Sequence, residues 1–349
     1  MKNNKKIAIV FGSQSFEHEI SIVSAITMKK VLKCEIIYIF IDKYREFYLI
    51  PTDIIKSNLF SSGEYKKFDK LELNHKGFTR KKLFGREKIK FDTVLNLVHG
   101  GDGEDGVLAG LFKFYNIPFI GPRIEASVVS CNKYLTKSYA HSCGVKSIDF
   151  QYFTKNEIIT VEKFPVIIKP VRLGSSIGVS VVNNKEELDY ALDVAFEFDN
   201  EIIIEPFCAG IKEYNLAGTK IENEYQLSII EEPQKEQFLD FDKKYLDFNR
   251  TQSILSAEIE TQLEEKIKES FKKIYNTFFE GSLIRCDFFV LDNEVYLNEI
   301  NPIPGSMSNY LFEEFNTVIE SLSLNLPKHK QININYEYVN KIQSAKGKA

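Results

Sequence analysis

The run Lys6–Phe11 (KIAIVF) is an unbroken apolar stretch that ends at Gly12, and it constrains the fold more than any other segment. After its first residue, Lys6, every position is apolar, so such a strand has no face to give to water and belongs inside a covered sheet. A Ser/Glu-rich turn follows. Ile20, Val23, Ile26 and Val31 then recur at roughly helical spacing, and Cys34–Ile41 (CEIIYIFI) reads as the next strand. Strand, loop, helix, strand is the opening of a parallel α/β layer. Residues 42–92 are less regular, with short strands near Phe47–Ile50 and a Lys-rich stretch around Thr79–Lys90. Thr93–Val98 is another buried strand. It runs into His99-Gly-Gly-Asp-Gly-Glu-Asp-Gly106, after which Leu108, Leu111 and Phe112 start a helix and Ile117–Ile120 closes the unit at Gly121-Pro122.

With 349 residues the chain is too long for one typical core, and two further units follow the first. A helical pattern runs from Ile124 to Cys143. Strands at Ile148–Phe153 and Val166–Lys169 lead into a Gly/Ser loop, 172–178, and then Val179–Val182, a helix Lys185–Phe196 and a strand Ile202–Glu205. The last unit has strands Glu213–Ile221 and Tyr225–Glu231 and a polar segment Pro233–Ser253 that reads as a long functional loop. An amphipathic helix Ala257–Phe279, a hairpin Leu283–Leu291/Glu294–Ile300, a helix Tyr310–Leu324 and a frayed tail complete the chain. The expected division is 1–121, 122–208 and 209–349.

A formal charge of -4, from 45 basic and 49 acidic side chains, gives no broad basic face, which argues against nucleic acid as a partner. No stretch reaches the length of a membrane span and the N-terminus lacks a secretory apolar region, so a cytoplasmic protein without membrane association is expected. Cys34, Cys131, Cys143, Cys208 and Cys286 form no CxxC pair and read as reduced, buried thiols.

Three constellations carry chemistry. Period-2 alternation puts Arg285 and Asp287 on one face of a strand, and Glu299 and Asn301 on one face of the next. Asp, Glu and Asn are hard oxygen donors suited to Mg²⁺; the same residues also fit a wet sheet face with a surface ion pair. Cys286 should point to the opposite face. Lys169-Pro170 followed by Arg172-Leu-Gly174-Ser175-Ser176-Ile-Gly178 is a small-residue loop beside a cation. It is either a backbone N–H cradle for phosphate or a flexible hairpin turn. The segment 99–106 sits between a strand and a helix, where ligands favour such sheets, although its acids also suit a helix start. The loop 12–15 lacks the glycine spacing of a dinucleotide fingerprint, which removes a dehydrogenase reading.

Together these segments resemble the D-alanine–D-alanine ligase family, a branch of the ATP-grasp enzymes, over about residues 6–325. The motifs that carry the resemblance are Gly12-Ser-Gln-Ser-Phe-Glu17-His-Glu-Ile-Ser21, the segment 99–106, Lys169-Pro with Gly174-Ser-Ser-Ile-Gly178, and Asn298-Glu-Ile-Asn301-Pro-Ile-Pro-Gly305-Ser. The resemblance implies a mixed α/β and α+β, three-domain ATP-grasp architecture with an N-terminal parallel α/β domain. ATP would lie between the central and C-terminal domains, with Mg²⁺ or Mn²⁺, two ions, and a homodimer would form through the N-terminal domain. It implies that two D-alanine molecules are joined through a D-alanyl phosphate for cell-wall precursor synthesis.

By the same resemblance, Glu17 holds the first D-alanine's ammonium, His99 lines that site, and Ser175 with Tyr245 and Glu17 ties the loop 233–253 down as a lid. Lys133, Lys169 and Lys244 meet phosphates, Glu213 the ribose, and Glu205 the adenine edge. Asp287, Glu299 and Asn301 match metal ligands; Arg285 and the Gly305 N–H match the groups at the oxyanion. Two departures stand out. The family's glycine pair after the first strand is Gly12-Ser13 here. Tyr310-Leu311 occupies the place of a serine-leucine pair that holds the second substrate's carboxylate, leaving Tyr310, Ser306 and Ser308 as candidates. Tyr245 in its Lys-Tyr pair favours D-alanine over D-lactate as second substrate. Another ATP-grasp carboxylate–amine ligase and a non-catalytic nucleotide-binding protein are the competing readings.

Overall fold

The computed structural model describes residues 5–233, 256–328 and 332–346. The first sheet contains β1 (Lys6–Gly12), β2 (Glu35–Ile41), β3 (Phe47–Ile50), β4 (Lys70–Asn74), β5 (Gly77–Lys81), β6 (Arg86–Lys88), β7 (Thr93–Asn96) and β8 (Phe119–Ile120). Its order is β6-β5-β4-β3-β2-β1-β7-β8. The pairs β2-β1-β7-β8 are parallel, and β3 to β6 extend that parallel centre as an antiparallel arm. The unbroken apolar run of β1 has a direct cause. Ile7, Ile9 and Phe11 face one core and Ala8 and Val10 the other, so both faces are dry. Helix α1 (His18–Val31) covers one of these cores. Smaller helices α2 (Ser57–Ser61), α3 (Gly101–Glu104) and α4 (Val107–Phe114) complete the unit.

The helical pattern at 124–143 is two helices, α5 (Ile124–Cys131) and α6 (Lys133–Ser142). Asn132 has extended backbone and its side chain accepts from the Leu135 N–H, so it caps α6 instead of continuing α5. A second sheet, β9 (Gln151–Thr154), β10 (Val166–Pro170), β11 (Ser180–Val182) and β12 (Glu201–Pro206), is antiparallel in the order β11-β10-β12-β9 and is packed by α7 (Leu188–Phe198). A third antiparallel sheet, β14-β13-β15-β16, is built from β13 (Lys212–Ile221), β14 (Glu224–Glu231), β15 (Ile284–Leu291) and β16 (Glu294–Asn301). Helix α8 (Thr261–Tyr275) buries Leu263, Ile267, Phe271 and Ile274 against it, and Ala126 and Ala140 of the α5–α6 pair join the same core.

Several sequence expectations change here. The helix expected at 257–279 is shorter at both ends, because residues 256–260 are not helical and Asn276 turns out at φ 27°. The helix expected at 310–324 is α9 (Phe315–Leu324), preceded by a separate tight turn, Gly305–Leu311, in which Ser306, Met307 and Ser308 are left-handed. The tail expected to fray carries an exposed helix α10 (Glu337–Lys346), whose first N–H is taken by the Asn335 side chain at 3.2 Å. All five cysteines are free thiols, but only Cys286 is fully buried. No described helix is long and apolar enough to cross a membrane.

Candidate active site

The first sheet presents two loops at the C-terminal ends of its parallel strands, one after β1 and one after β7. They are locked together through Asp102, which accepts from the Ser13 hydroxyl at 2.6 Å and from the Arg45 guanidinium at 2.8 and 2.9 Å. Ser13 sits at φ 70°, which explains why a glycine suits that place and how serine holds it: the Asp102 contact fixes its side chain. Glu17 stands at the start of α1. Its Oε1 accepts from the Ser175 hydroxyl at 2.5 Å, so the Gly/Ser loop after β10 closes onto the first sheet. Gly100 packs so tightly here that a Cβ would stand 2.6 Å from Glu17 Oε2. Ser175 and Ser176 both have positive φ, 53° and 59°, an unusual backbone for serine that turns this loop sharply.

His99 is buried behind these loops and does not line the cavity they enclose. Its Nδ1 meets the Leu97 carbonyl at 2.8 Å and its Nε2 lies 3.4 Å from Ser24 Oγ, which in turn accepts from the Ser306 N–H at 3.0 Å. The imidazole thus braces the Gly305 turn against α1. Burial pulls its pKa down to about 4, so it is neutral at ordinary pH. His18, the neighbour of Glu17, contacts the Ser13 carbonyl at 2.6 Å and the edge of Phe40, a local structural role.

On the third sheet the alternation places its residues as expected. Arg285 lies opposite Asn301 and Asp287 opposite Glu299, while Cys286 is buried on the other face. Arg285 grips Asp287 with two hydrogen bonds of 2.6 and 2.8 Å, and the Asn301 amide donates to Asp287 at 3.0 Å. Burial raises the Asp287 pKa to about 7 against the opposing pull of Arg285. Burial also works against the Arg285 charge, but Asp287, Tyr310 and Glu231 outweigh it and raise its pKa. Sequence reasoning missed Glu231 and Asn215, which continue this polar row. Asn215 pairs with both Asp287 and Glu231 across the sheet and donates to Glu231 at 3.2 Å, and the Tyr310 hydroxyl points at Glu231 from 3.4 Å. The period of β13 and β14 held the signal, since Asn215 and Glu231 are polar positions among buried apolar ones.

The third cluster joins α6 to the second sheet. Lys169 on β10 and Lys137 on α6 both reach Glu205 of β12, at 2.6 and 2.5 Å. Burial opposes the Glu205 charge, yet the two ammonium groups outweigh it and hold its pKa below the usual carboxylate range. Lys133, at the first turn of α6, donates to the Leu173 carbonyl at the root of the Gly/Ser loop. Glu213 lies half-buried on β13 opposite Phe289.

A cavity of about 540 Å³ lies where the three units meet, and Glu17, Glu104, Lys133, Gly174, Glu299 and Asn301 are on its wall. Glu104 is a further residue that the motif at 99–106 contained without singling out. Burial and then the nearby Glu17 raise its pKa well above that of an ordinary carboxyl group. Lys169, Ser175, Glu205, Glu213, Arg285, Asp287, Gly305, Ser306 and Tyr310 are not on this wall, and Glu205, Asp287, Ser306 and Tyr310 are buried. Lys244, Tyr245 and the expected lid 233–253, apart from Pro233, lie outside the described residues. Among the described residues, no three His, Cys, Asp or Glu side chains converge as a metal site. The candidate donor set is two carboxylates and an amide.

Sequence profiles described as D-ala D-ala ligase N-terminus and D-ala D-ala ligase C-terminus match residues 6–122 and 142–318. The chain belongs to the D-alanine–D-alanine ligase family. Within that family it is 59% identical over 343 residues to a D-alanine–D-alanine ligase of Wolinella succinogenes, covering 98% of this chain and 99% of that protein. The crystal structure of the ligase from Helicobacter pylori superposes with a TM-score of 0.84 at 49% identity, covering 93% of this chain and 100% of that one. A D-Ala:D-Ser ligase, VanG from Enterococcus faecalis, matches at 27% identity and a TM-score of 0.71, covering 93% of this chain and 98% of that one. The D-alanine–D-alanine ligase fold is the ATP-grasp fold, and the three sheets here are its parts.

Proposed function

We propose that this chain uses ATP to join two D-alanine molecules into D-alanyl-D-alanine for peptidoglycan precursor synthesis. The observation that carries the proposal is the convergence of Glu17, which Ser175 holds, with Lys133 and the Glu299–Asn301 edge on one cavity. Glu17 receives the ammonium of the first D-alanine, and its hydrogen bond from Ser175 supports that role by fixing its orientation. A free carboxylate is a poor electrophile for an amine, so its oxygen first attacks the γ-phosphorus of ATP to give an acyl phosphate and ADP. Two anions must approach each other in that step. Lys133 and Lys169, with Lys244 from the lid, are the cations suited to screen them. Glu213 fits the ribose and Glu205 the adenine edge.

The second amine then attacks the acyl carbon. Arg285 and the Gly305 N–H are suited to the oxyanion that develops, and expulsion of phosphate forms the peptide bond. Tyr310, Ser306 and Ser308 are the candidates for the second carboxylate; the Ser308 hydroxyl is buried without a hydrogen-bond partner in the structure. Asp287, Glu299 and Asn301 fit Mg²⁺ or Mn²⁺, as hard oxygen donors in a row where one guanidinium faces several acids. When bound, the ions supply charge neutralisation of the nucleotide phosphates. By the family resemblance, Tyr245 is assigned to a lid that keeps water from the acyl phosphate.

The reaction belongs in the cytoplasm, where ATP is found. A homodimer through the first unit is supported by Val107, Leu111 and Phe114, exposed at i, i+4 and i+7 along α4. The activity test is ADP release with ATP and Mg²⁺, with products identified by mass, comparing D-alanine, L-alanine, and D-alanine with D-lactate or D-serine. D-alanine dependence and the D-alanyl-D-alanine mass are expected. Turnover of an unrelated carboxylate and amine, without the dipeptide, would move the chain to another ATP-grasp ligation.

A further inference from the structure

Lys137 is a buried lysine with no place in the mechanism above. Only 3% of its side chain is exposed, and it does not line the cavity. It is nevertheless held from three sides. Its ammonium lies 2.5 Å from Glu205 Oε1, donates to the Ile148 carbonyl at 3.2 Å, and sits 5.5 Å from the centre of the Phe150 ring. The other Glu205 oxygen takes the Lys169 ammonium at 2.6 Å. A long, flexible cation is costly to bury and order. Within this contact one carboxylate faces two ammonium groups, where a single Lys169–Glu205 pair would be neutral; Asp149 is the further acid that acts on Lys137.

We propose that Lys137 is a positioning residue for the nucleotide. It shares the Glu205 carboxylate with Lys169, so that Lys169 is oriented by Glu205 without being neutralised by it and keeps its attraction for phosphate. Each part of the contact has a separate task. The Ile148 carbonyl and the Phe150 face fix the Lys137 end, and β10 and β12 are hydrogen-bonded neighbours that fix Lys169 and Glu205 relative to each other. Lys137 therefore acts on ATP through Glu205 and touches no substrate. This inference rests on the nucleotide site proposed above.

The test is steady-state kinetics on the full chain with Lys137→Met, Glu205→Gln, Lys169→Met and the double variant Lys137→Met/Glu205→Gln, with the fold of each followed by circular dichroism. Lys137→Met is expected to raise the KM for ATP about ten-fold, the loss of one charge-assisted contact, with kcat within about three-fold. The KM for D-alanine should stay unchanged. Because Lys137 works through Glu205, the double variant should bind ATP no worse than Glu205→Gln alone. A folded Lys137→Met enzyme with the wild-type KM for ATP overturns the proposal, as does equal loss in ATP and D-alanine KM, or additive effects in the double variant. Should Lys137→Met alone fail to fold, the comparison of Glu205→Gln with the double variant decides. If Lys169→Met leaves the KM for ATP unmoved, the nucleotide-site reading itself falls. If only Lys169→Met and Glu205→Gln raise it, that reading stands and the role of Lys137 alone is refuted.

Discussion

The second and third sheets bury charge in opposite ways. Between α6 and the second sheet, two ammonium groups share one carboxylate, Glu205. On the third sheet one guanidinium, Arg285, stands among Asp287, Glu299 and Glu231. Glu205 and Asp287 are both buried acids in direct contact with a cation. Burial raises the pKa of each, but two cations overcome it at Glu205, whereas one cation and neighbouring acids leave Asp287 at about 7. A residue's type therefore does not set its charge behaviour; the count of neighbours does. Under the proposed function the cation-rich cluster serves phosphate, and the acid-rich row serves divalent cations and, through Arg285, the oxyanion.

Arg285→Met should widen the contrast most. Removing the guanidinium paired with Asp287 takes away the group suited to the oxyanion, and kcat is expected to fall about 10³-fold with ATP binding retained. Stopped-turnover assays with product detection check this, and a loss confined to the KM for D-alanine would mean that Arg285 only binds. Glu205→Gln attacks the other cluster by removing the carboxylate shared by the buried Lys137 and the half-buried Lys169. An unfolding free energy lower by about 3 kcal/mol is expected in urea titrations, and an unchanged midpoint would show that the cluster is not tightly coupled.

His99 sharpens the comparison because it is buried without charge. Its folded pKa, about 4, lies below the unfolded value, so the unfolded chain binds the extra proton between those limits. Stability is complete above about pH 6.5 and falls as pH drops towards 4, by up to about 3 kcal/mol from this residue. In His99→Gln the urea midpoint should vary less with pH across that window; an unaltered profile would remove His99 as the cause. The smallest effect concerns Cys131, on the cavity wall. Burial pushes its thiol up to about 11, so alkylation by iodoacetamide at pH 8 should leave ATP-dependent activity intact. Rapid inactivation would show a far more reactive thiol than this.

The two clusters were not equally legible in the sequence. The Arg285–Asn301 hairpin could be read because strand periodicity is strict: alternate residues share a face, and Asp292-Asn293 marks the turn between the strands. The Lys137–Glu205 contact could not, since it joins a helix to a strand 68 residues later and only tertiary packing decides which lysines meet which acid. The same distinction holds for backbone. β1 announced itself through its apolar run, whereas the left-handed Ser306–Ser308 turn depends on contacts such as that of the Ser306 N–H with Ser24, far away in the chain. The antiparallel arm β3–β6 was only partly visible, as its strands are short and its outermost, β6, is fully exposed.

In the proposed function, carboxylate activation by ATP is the step on which both clusters bear. D-alanine labelled with ¹⁸O in both carboxyl oxygens, turned over with ATP and Mg²⁺, tests it most directly through the mass of the released phosphate. Attack of the labelled carboxylate on the γ-phosphorus predicts one ¹⁸O in each phosphate released with the dipeptide. Unlabelled phosphate released together with the dipeptide would contradict an acyl phosphate and the assignment of these clusters to it.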